Sequence, residues 1–112
     1  MVHIIKTGDN MQFKTKTKIE GKEIELIQED PGYGKVREAI KKSIKTKEIK
    51  GKTVNVIDMI DKEDWQAYFT VTNWPEGFTF EKFMKLKPWT LGEAIRKNAE
   101  KILIVDETTK NC

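Results

Sequence analysis

Residues 65–89, WQAYFTVTNWPEGFTFEKFMKLKPW, hold most of the aromatic side chains of a 112-residue chain. The stretch contains all three tryptophans, one of the two tyrosines and four of the five phenylalanines. Aromatic side chains bury large areas, so this stretch should supply much of the hydrophobic core. Trp74 stands in a turn between Asn73 and Pro75, and it is the tryptophan that we expect to be exposed.

The same stretch predicts two elements separated by a turn. Residues 66–73 alternate between two faces, and this period of two is typical of a strand. Residues 74–77 contain proline and glycine and should end that strand. Residues 78–87 fit either a strand or a short helix that begins at about Thr79, and we favour the helix.

Three strands are predicted in the N-terminal part of the chain. Residues 2–6 form a short strand, and residues 11–19 alternate strictly between a face of apolar residues and threonines and a polar, mostly basic face. Residues 23–28 resume the alternation after Gly21, so the last two strands should form a β-hairpin. The polar face of the longer strand carries Gln12, Lys14, Lys16 and Lys18.

The period of the pattern changes after the hairpin. From Lys35 the apolar residues recur at helical spacing, which predicts an amphipathic helix over residues 35–45. Residues 46–52 read as a charged connector that turns at Gly51. Residues 53–60 are rich in β-branched side chains and predict a buried strand.

A second long helix is predicted near the C-terminal end. Thr90 and Glu93 match a capping box at the start of a helix over residues 91–102. Together the elements predict an α+β protein with one domain over residues 1–107. Its mostly antiparallel sheet has four or five strands, and its two main helices pack on one face. Residues 108–112 should form a flexible polar tail.

Positive charge is concentrated in one part of the chain. Residues 35–52 contain eight lysines and arginines against two glutamates, whereas the whole chain carries a net charge of +3. Lysines along a groove neutralise phosphates, and an exposed aromatic ring stacks on a base. If the hairpin and the 35–45 helix lie side by side, their basic faces merge. We therefore predict a non-enzymatic protein that contacts nucleic-acid backbone through Lys14, Lys16, Lys18, Tyr33, Lys35, Arg37, Lys41, Lys42, Lys45, Lys47, Lys50 and Lys52.

Two other interpretations fit the same residues. The lysines can simply form a solvated face that keeps the protein soluble. The alternative function is a protein-interaction module, such as a viral or mobile-element accessory protein that binds and inhibits a host factor. In that case an exposed Trp74 is the residue expected to bind the partner.

Residues that support catalysis or bind metals are scarce. His3 is the one histidine and Cys112 the one cysteine, so a single chain lacks the residues for a Cys/His metal cluster. Residues 31–35, PGYGK, precede a helix and offer at most an anion contact. A magnesium-dependent phosphodiesterase is the least favoured function, because an ordinary acidic turn explains its residues better. That function would use Asp58, Asp61 and Asp64. We expect no enzyme, no cofactor and no metal.

The sequence also predicts a location. The longest unbroken apolar run, residues 102–105, is too short to cross a bilayer. The first residues lack the long apolar core of a signal peptide. One cysteine fits a reducing compartment, so we expect a cytoplasmic protein without a membrane partner. The edge strands of so small a sheet allow a homodimer.

Overall fold

The structure, a computed structural model, describes residues 2–7 and 10–104, with side chains described from Met11 onward. Strands and helices are both present within these ranges, so the predicted α+β class is confirmed. The predicted tail of residues 108–112 lies outside the described residues, as do residues 105–107. In chain order the elements are β1 (Val2–Thr7), β2 (Asn10–Ile19), β3 (Lys22–Gln28), α1 (Tyr33–Lys42), β4 (Ile44–Ile49), β5 (Lys52–Ile57), α2 (Met59–Thr70), α3 (Phe80–Met84) and α4 (Trp89–Leu103).

These strands form two separate antiparallel sheets, not the single sheet of four or five strands that we predicted. β1, β2 and β3 are neighbours in one sheet, and β4 pairs with β5 in the other. The predicted β2–β3 hairpin is confirmed, with Phe13 opposite Gln28 and Ile19 opposite Lys22. The single-sheet prediction fails because β5 pairs with β4, most of which was predicted as a connector, and because a segment that was expected to supply another strand is a helix.

That segment is residues 66–73, which belong mostly to α2. The Asp58 carboxylate caps the helix, because its Oδ1 accepts the Asp61 N–H at an N–O distance of 3.0 Å. The helix packs against both α1 and α4 and buries Ala67 and Thr70, which are three residues apart. A period of two and a helical spacing coexist in this segment, and packing on two sides favours the helix.

The predicted connector over residues 46–52 contains most of β4 and the turn that follows it. Lys50 and Gly51 make a two-residue turn with φ of 52° and 77°. Positive φ at both central residues is what a type I′ hairpin turn requires. α1 therefore ends at Lys42 and not at residue 45, since the chain must leave the helix before β4 begins.

The prediction of a buried strand over residues 53–60 is also wrong. β5 ends at Ile57, and Met59 and Ile60 begin α2 with exposed side chains. Within β5, the side chains alternate between exposed and half-buried and none is fully buried. The β-branched residues therefore reflect strand propensity without burial.

The hydrophobic core lies between the three-stranded sheet and the helices. α4 packs on β2 and β3, and α2 packs on α4 and α1. The aromatic-rich stretch supplies much of this core, as predicted, and burial raises the pKa of the Tyr68 hydroxyl. The core cluster contains Ile19, Leu26, Ala67, Val71, Phe78, Phe83, Leu91, Ile95 and Ala99.

A buried amide joins the sheet to two helices. Gln28, at the end of β3, is 0% exposed. Its Nε2 donates to Thr70 Oγ1 and to the Ile95 carbonyl oxygen, each at 2.9 Å. Its Oε1 accepts from Asn98 Nδ2 at 3.1 Å. The backbone reinforces this junction, because Glu29 N–H donates to the Thr70 carbonyl oxygen at 2.9 Å.

The replacement Gln28→Leu tests this junction. It introduces an apolar side chain of similar size and removes the hydrogen-bond partner of Asn98, of Thr70 and of the Ile95 carbonyl oxygen. Unsatisfied buried polar groups are costly, so we expect the free energy of unfolding to fall by about 3 kcal/mol in urea titrations. Gln66→Leu, at a half-buried position of α2, is the control and should change it by less than about 0.5 kcal/mol. Equal effects of the two replacements would contradict the assigned role of Gln28.

The expected exposure of Trp74 is wrong. Its indole stacks on Phe78 with ring centroids 4.5 Å apart, and its Nε1 donates to the Tyr68 carbonyl oxygen at 2.9 Å. The side chain is partly buried and packs on the core. The ring turns inward because the turn after α2 folds back over the helix. Among the described residues, the tryptophan with the exposed side chain is Trp89, at 73% exposure.

The two C-terminal helices begin in different ways. The predicted short helix after Thr79 is confirmed, because Thr79 Oγ1 accepts the Lys82 N–H at 3.3 Å. The predicted capping box of α4 is wrong. That helix begins at Trp89 with Pro88 as an N-cap that makes no side-chain bond. The Glu93 carboxylate instead binds the Arg96 guanidinium, which raises the pKa of Arg96.

Candidate nucleic-acid interface

β4 and β5 form a two-stranded ribbon, here called the β-ribbon (residues 44–57). Among the described elements, these strands pack appreciably only on each other. All six side chains of β4 are exposed. Short strands with β-branched residues and a type I′ turn explain why the ribbon forms, but no core covers it. The ribbon is therefore a solvent-exposed extension of the helical layer.

The antiparallel register assigns each side chain of the β-ribbon to one of two faces. Lys45 lies opposite Val56, Lys47 opposite Val54 and Lys52 opposite Ile49. Successive residues of a strand point to opposite faces, so these three lysines share one face, here called the lysine face. Lys47 and Lys52 are diagonal neighbours, at roughly 7–8 Å in such a ladder. Lys50 stands at the tip, in the turn.

The lysines of the ribbon differ in their partners. Lys45 Nζ lies 2.8 Å from Asp61 Oδ2 and 3.3 Å from Asp58 Oδ2. Its hydrogen bond to Asp61 and then that to Asp58 raise the pKa of Lys45. This ion pair anchors the base of the ribbon to the start of α2. In contrast, Lys47, Lys50 and Lys52 have no carboxylate within 4 Å in the described part of the chain.

The basic residues of α1 lie next to the base of the ribbon. The helix ends at Lys42, and only Ser43 separates it from β4. Lys42 Nζ lies 4.6 Å from the centroid of the Trp65 ring, so its ammonium group makes a cation–π contact within the protein. Lys41 is exposed at the same end of the helix. Of the predicted residues, these are the ones that the structure places beside the ribbon.

The N-terminal end of α1 carries the other predicted residues. Tyr33 is 78% exposed, and the Arg37 guanidinium carbon lies 5.9 Å from its ring centroid. Lys35 Nζ contacts the Phe69 ring at 4.9 Å and Glu38 at 3.9 Å. The Gly32 N–H donates to Asp30 Oδ1 at 2.8 Å, so the protein's own carboxylate occupies the proposed anion contact.

The lysines of β2 lie on a different surface. Phe13, Thr15 and Ile19 are buried beneath α4, so the alternating lysines occupy the opposite, outer face of the sheet. α1 belongs to the helical layer, so the predicted merging of the two basic faces does not occur. The outer face is also mixed in charge: on β2 and β3, Lys16 lies opposite Glu25, Lys18 opposite Glu23 and Lys14 opposite Ile27.

The aspartates of α2 form no cluster suited to a metal ion. No group of three metal-ligating side chains occurs among the described residues. Asp58 and Asp61 are engaged by Lys45, and the bond from the Asp61 N–H lowers the pKa of Asp58. Burial raises the pKa of Asp64, with smaller contributions from Asp61 and Glu63. Asp58 therefore serves as a helix cap, and Asp58 and Asp61 serve as ion-pair partners of Lys45.

The sequence pattern did not reveal the β-ribbon, although a signal was present. Residues 44–49, IKTKEI, alternate, and a glycine turn follows them. The alternation was missed because it opposes lysine to threonine and glutamate, with no apolar stripe that would mark a half-buried strand. The exposure of Trp89 was missed because most of the aromatic side chains of residues 65–89 were expected in the core, whereas Trp89 is the first residue of α4.

The chain matches no protein-family model, no curated protein and no solved structure. Among the helices of the described part, none has the length and apolar character needed to span a membrane.

The depressed pKa of Asp58 predicts how acid affects this region. A group with a lowered folded-state pKa stabilises the fold above its unfolded pKa, and this contribution is lost as pH falls through the folded value. Asp58→Asn keeps a side-chain oxygen that can cap the helix. It removes the titratable carboxylate and therefore the ion pair between residue 58 and Lys45. We expect wild type to be more stable than the variant at pH 7, by urea unfolding. The difference should shrink below about pH 4. Glu48→Gln is the control, and a difference that is constant with pH would contradict the linkage.

Proposed function

We propose that this chain is a non-enzymatic binding protein that contacts nucleic-acid backbone through the lysine face of the β-ribbon. The observation that supports this proposal most directly is the lack of ion-pair partners at three lysines of an exposed ribbon. In the described part of the chain no carboxylate lies within 4 Å of Lys47, Lys50 or Lys52. Unneutralised lysines at such spacing release counterions when they meet phosphates.

The shape of the element also favours this function. A two-stranded β-ribbon fits the major groove of B-form DNA, whereas the major groove of A-form RNA is too narrow for such readout. We therefore favour duplex DNA as the ligand. Lys41 at the base of the ribbon extends the contact, whereas Tyr33 lies at the opposite end of α1 and has no unstacked base to contact in a duplex.

Two groups of originally predicted residues have lesser roles in this proposal. Lys45 anchors the ribbon to α2, and Lys42 and Lys35 are engaged with aromatic rings. The lysines of β2 lie on the outer face of the other sheet, where Lys16 and Lys18 are opposite glutamates, and they stay outside the interface. We place the protein in the cytoplasm, because a chain with one cysteine suits a reducing compartment.

The test compares two pairs of neutralised lysines. The double variant Lys47→Gln, Lys52→Gln should weaken duplex binding, measured by fluorescence polarisation between low and near-physiological salt. The log–log salt slope should fall by about two, one unit for each lost phosphate contact. The control Lys16→Gln, Lys18→Gln removes the same net charge and should leave the slope unchanged. Equal losses of duplex affinity in the two double variants, or no binding by wild type at low salt, would contradict the proposal.

A protein-interaction module, such as a viral or mobile-element accessory protein that inhibits a host factor, is the second candidate. The observation that favours it is the exposed Trp89, which with Met84 and Leu86 lines a shallow cavity of about 180 Å³. Tryptophans in such positions dominate many protein interfaces.

This second candidate makes its own prediction. If a protein partner docks on the cavity, wild type should capture it from a lysate even at high salt, because apolar contacts are little screened. Trp89→Ala should abolish this capture. The same variant should bind duplex DNA as wild type does. A partner whose capture survives Trp89→Ala but fails on loss of the ribbon lysines would contradict a role for this surface.

A further inference from the structure

The outer edge of β5 presents backbone groups without a partner. In a two-residue hairpin the residues that flank the turn, Ile49 and Lys52, exchange both hydrogen bonds, and this inward pairing recurs at every second residue. The Asp58 N–H continues the series by donating to the Ser43 carbonyl oxygen at 2.8 Å. The N–H and C=O groups of the intervening residues therefore point outward, and in the described part of the chain they bond to no other element. These residues are Thr53, Asn55 and Ile57.

The two edges of the β-ribbon differ in chemistry. The β5 edge, residues 53–57, reads TVNVI and has no charged side chain. The β4 edge carries Lys45, Lys47 and Glu48. Lysine on an edge strand is a common obstacle to pairing with another chain. β4 carries two lysines within the strand, whereas the one lysine of β5, Lys52, stands at its end beside the turn. An isolated two-stranded ribbon is also marginally stable in water, which favours the addition of strands.

We propose that a second copy of this chain pairs with the β5 edge, antiparallel and centred on Asn55. A twofold axis perpendicular to the sheet relates the two strands and keeps every side chain on its own face. Only residues that share a face can then be paired. In the register centred on Asn55, Thr53 of one copy meets Ile57 of the other, and every outward N–H and C=O of the three edge residues gains a partner.

The side chains fit this register as well. Val54 of each copy lies opposite Val56 of the other, which is a favourable β-branched pair. Lys52 of each copy lies opposite Asp58 of the other, whose carboxylate also binds Lys45, so this register sets no like charges in opposition. The corresponding pairing of two β4 edges fails, because a register centred on Thr46 sets Lys45 against Lys47. Self-complementarity therefore belongs to β5 alone within the β-ribbon.

The resulting dimer has a continuous sheet in the order β4, β5, β5, β4. The axis is perpendicular to this sheet, so the lysine faces of both copies lie on the same side. The inference does not depend on nucleic-acid binding, because it rests on backbone groups and uncharged side chains at the edge. Its test is therefore made on the full chain without nucleic acid.

Sedimentation equilibrium on wild type and two proline variants tests the proposal. Asn55→Pro removes an outward N–H of β5 and leaves the bonds to β4 intact, since proline is tolerated at an edge. Thr46→Pro makes the same change at the directly opposite position of the β4 edge. We expect wild type to dimerise, Asn55→Pro to raise the dissociation constant more than about tenfold, and Thr46→Pro to leave it within about twofold. Circular dichroism establishes that each variant is folded.

A charge-swap experiment tests the position of the axis. Asn55→Lys and Asn55→Glu should each be monomeric, because the two copies bring like charges into direct opposition. An equimolar mixture of the two variants should regain the dimer. The proposal is overturned by a wild type that stays monomeric at every concentration, by equal weakening in both proline variants, or by a mixture that stays monomeric.

Discussion

The fully buried amide of Gln28 is the interaction on which the arrangement of the elements depends. An amide in an apolar interior is costly unless its donors and acceptor are all used, and here they are. Its partners come from Thr70, Ile95 and Asn98, so one side chain of β3 fixes the positions of α2 and α4. An apolar residue at this position would leave the polar groups of Thr70, Ile95 and Asn98 without this partner.

The position of α2 in turn sets the position of both the helix α1 and the β-ribbon. On its outer side, Trp65 stacks on Phe80 with ring centroids 3.6 Å apart. Lys42 of α1 makes a cation–π contact with the same indole, at 4.6 Å from the ring centroid. At its first turn, Asp58 and Asp61 hold Lys45 at the base of the ribbon. The ribbon is thus anchored at one end and free along its length. Asp58 and Asp61 bind Lys45 at the base, and Lys47, Lys50 and Lys52 have no carboxylate within 4 Å in the described part of the chain. We therefore propose that these three lysines contact the external ligand.

Much of the fold could be predicted because burial leaves a periodic signal. The β2–β3 hairpin alternates with Phe13, Thr15 and Ile19 inward, and the helix near the C-terminal end buries Ile95 and Ala99 at helical spacing. The segment over residues 66–73 was misread because its side chains satisfy both periods. Its helical state is decided by contacts from α4 and from Gln28, which is 42 residues from Thr70, and such contacts are invisible in a local window.

The candidate interface was harder to predict than the core. The composition of residues 35–52 identified the basic region, but not which lysines are used internally. That distinction depends on the turn at Lys50 and Gly51, which pairs β4 with β5 and places Lys45 beside two aspartates. Lys16 and Lys18 of β2 look equivalent to the ribbon lysines in sequence, yet each lies opposite a glutamate of β3. Charge in a sequence window therefore locates a candidate surface, and pairing across strands decides how much of it is free.

The most direct test of the central claim is chemical-shift mapping of the full ¹⁵N-labelled chain during titration with a short DNA duplex. The account predicts that the largest amide shifts occur at Lys47, Lys50 and Lys52, with smaller ones at Lys41. The amides of Lys16 and Lys18 on the outer sheet face should not move. Shifts centred on that outer face, or on Trp89 with an unperturbed ribbon, would contradict it.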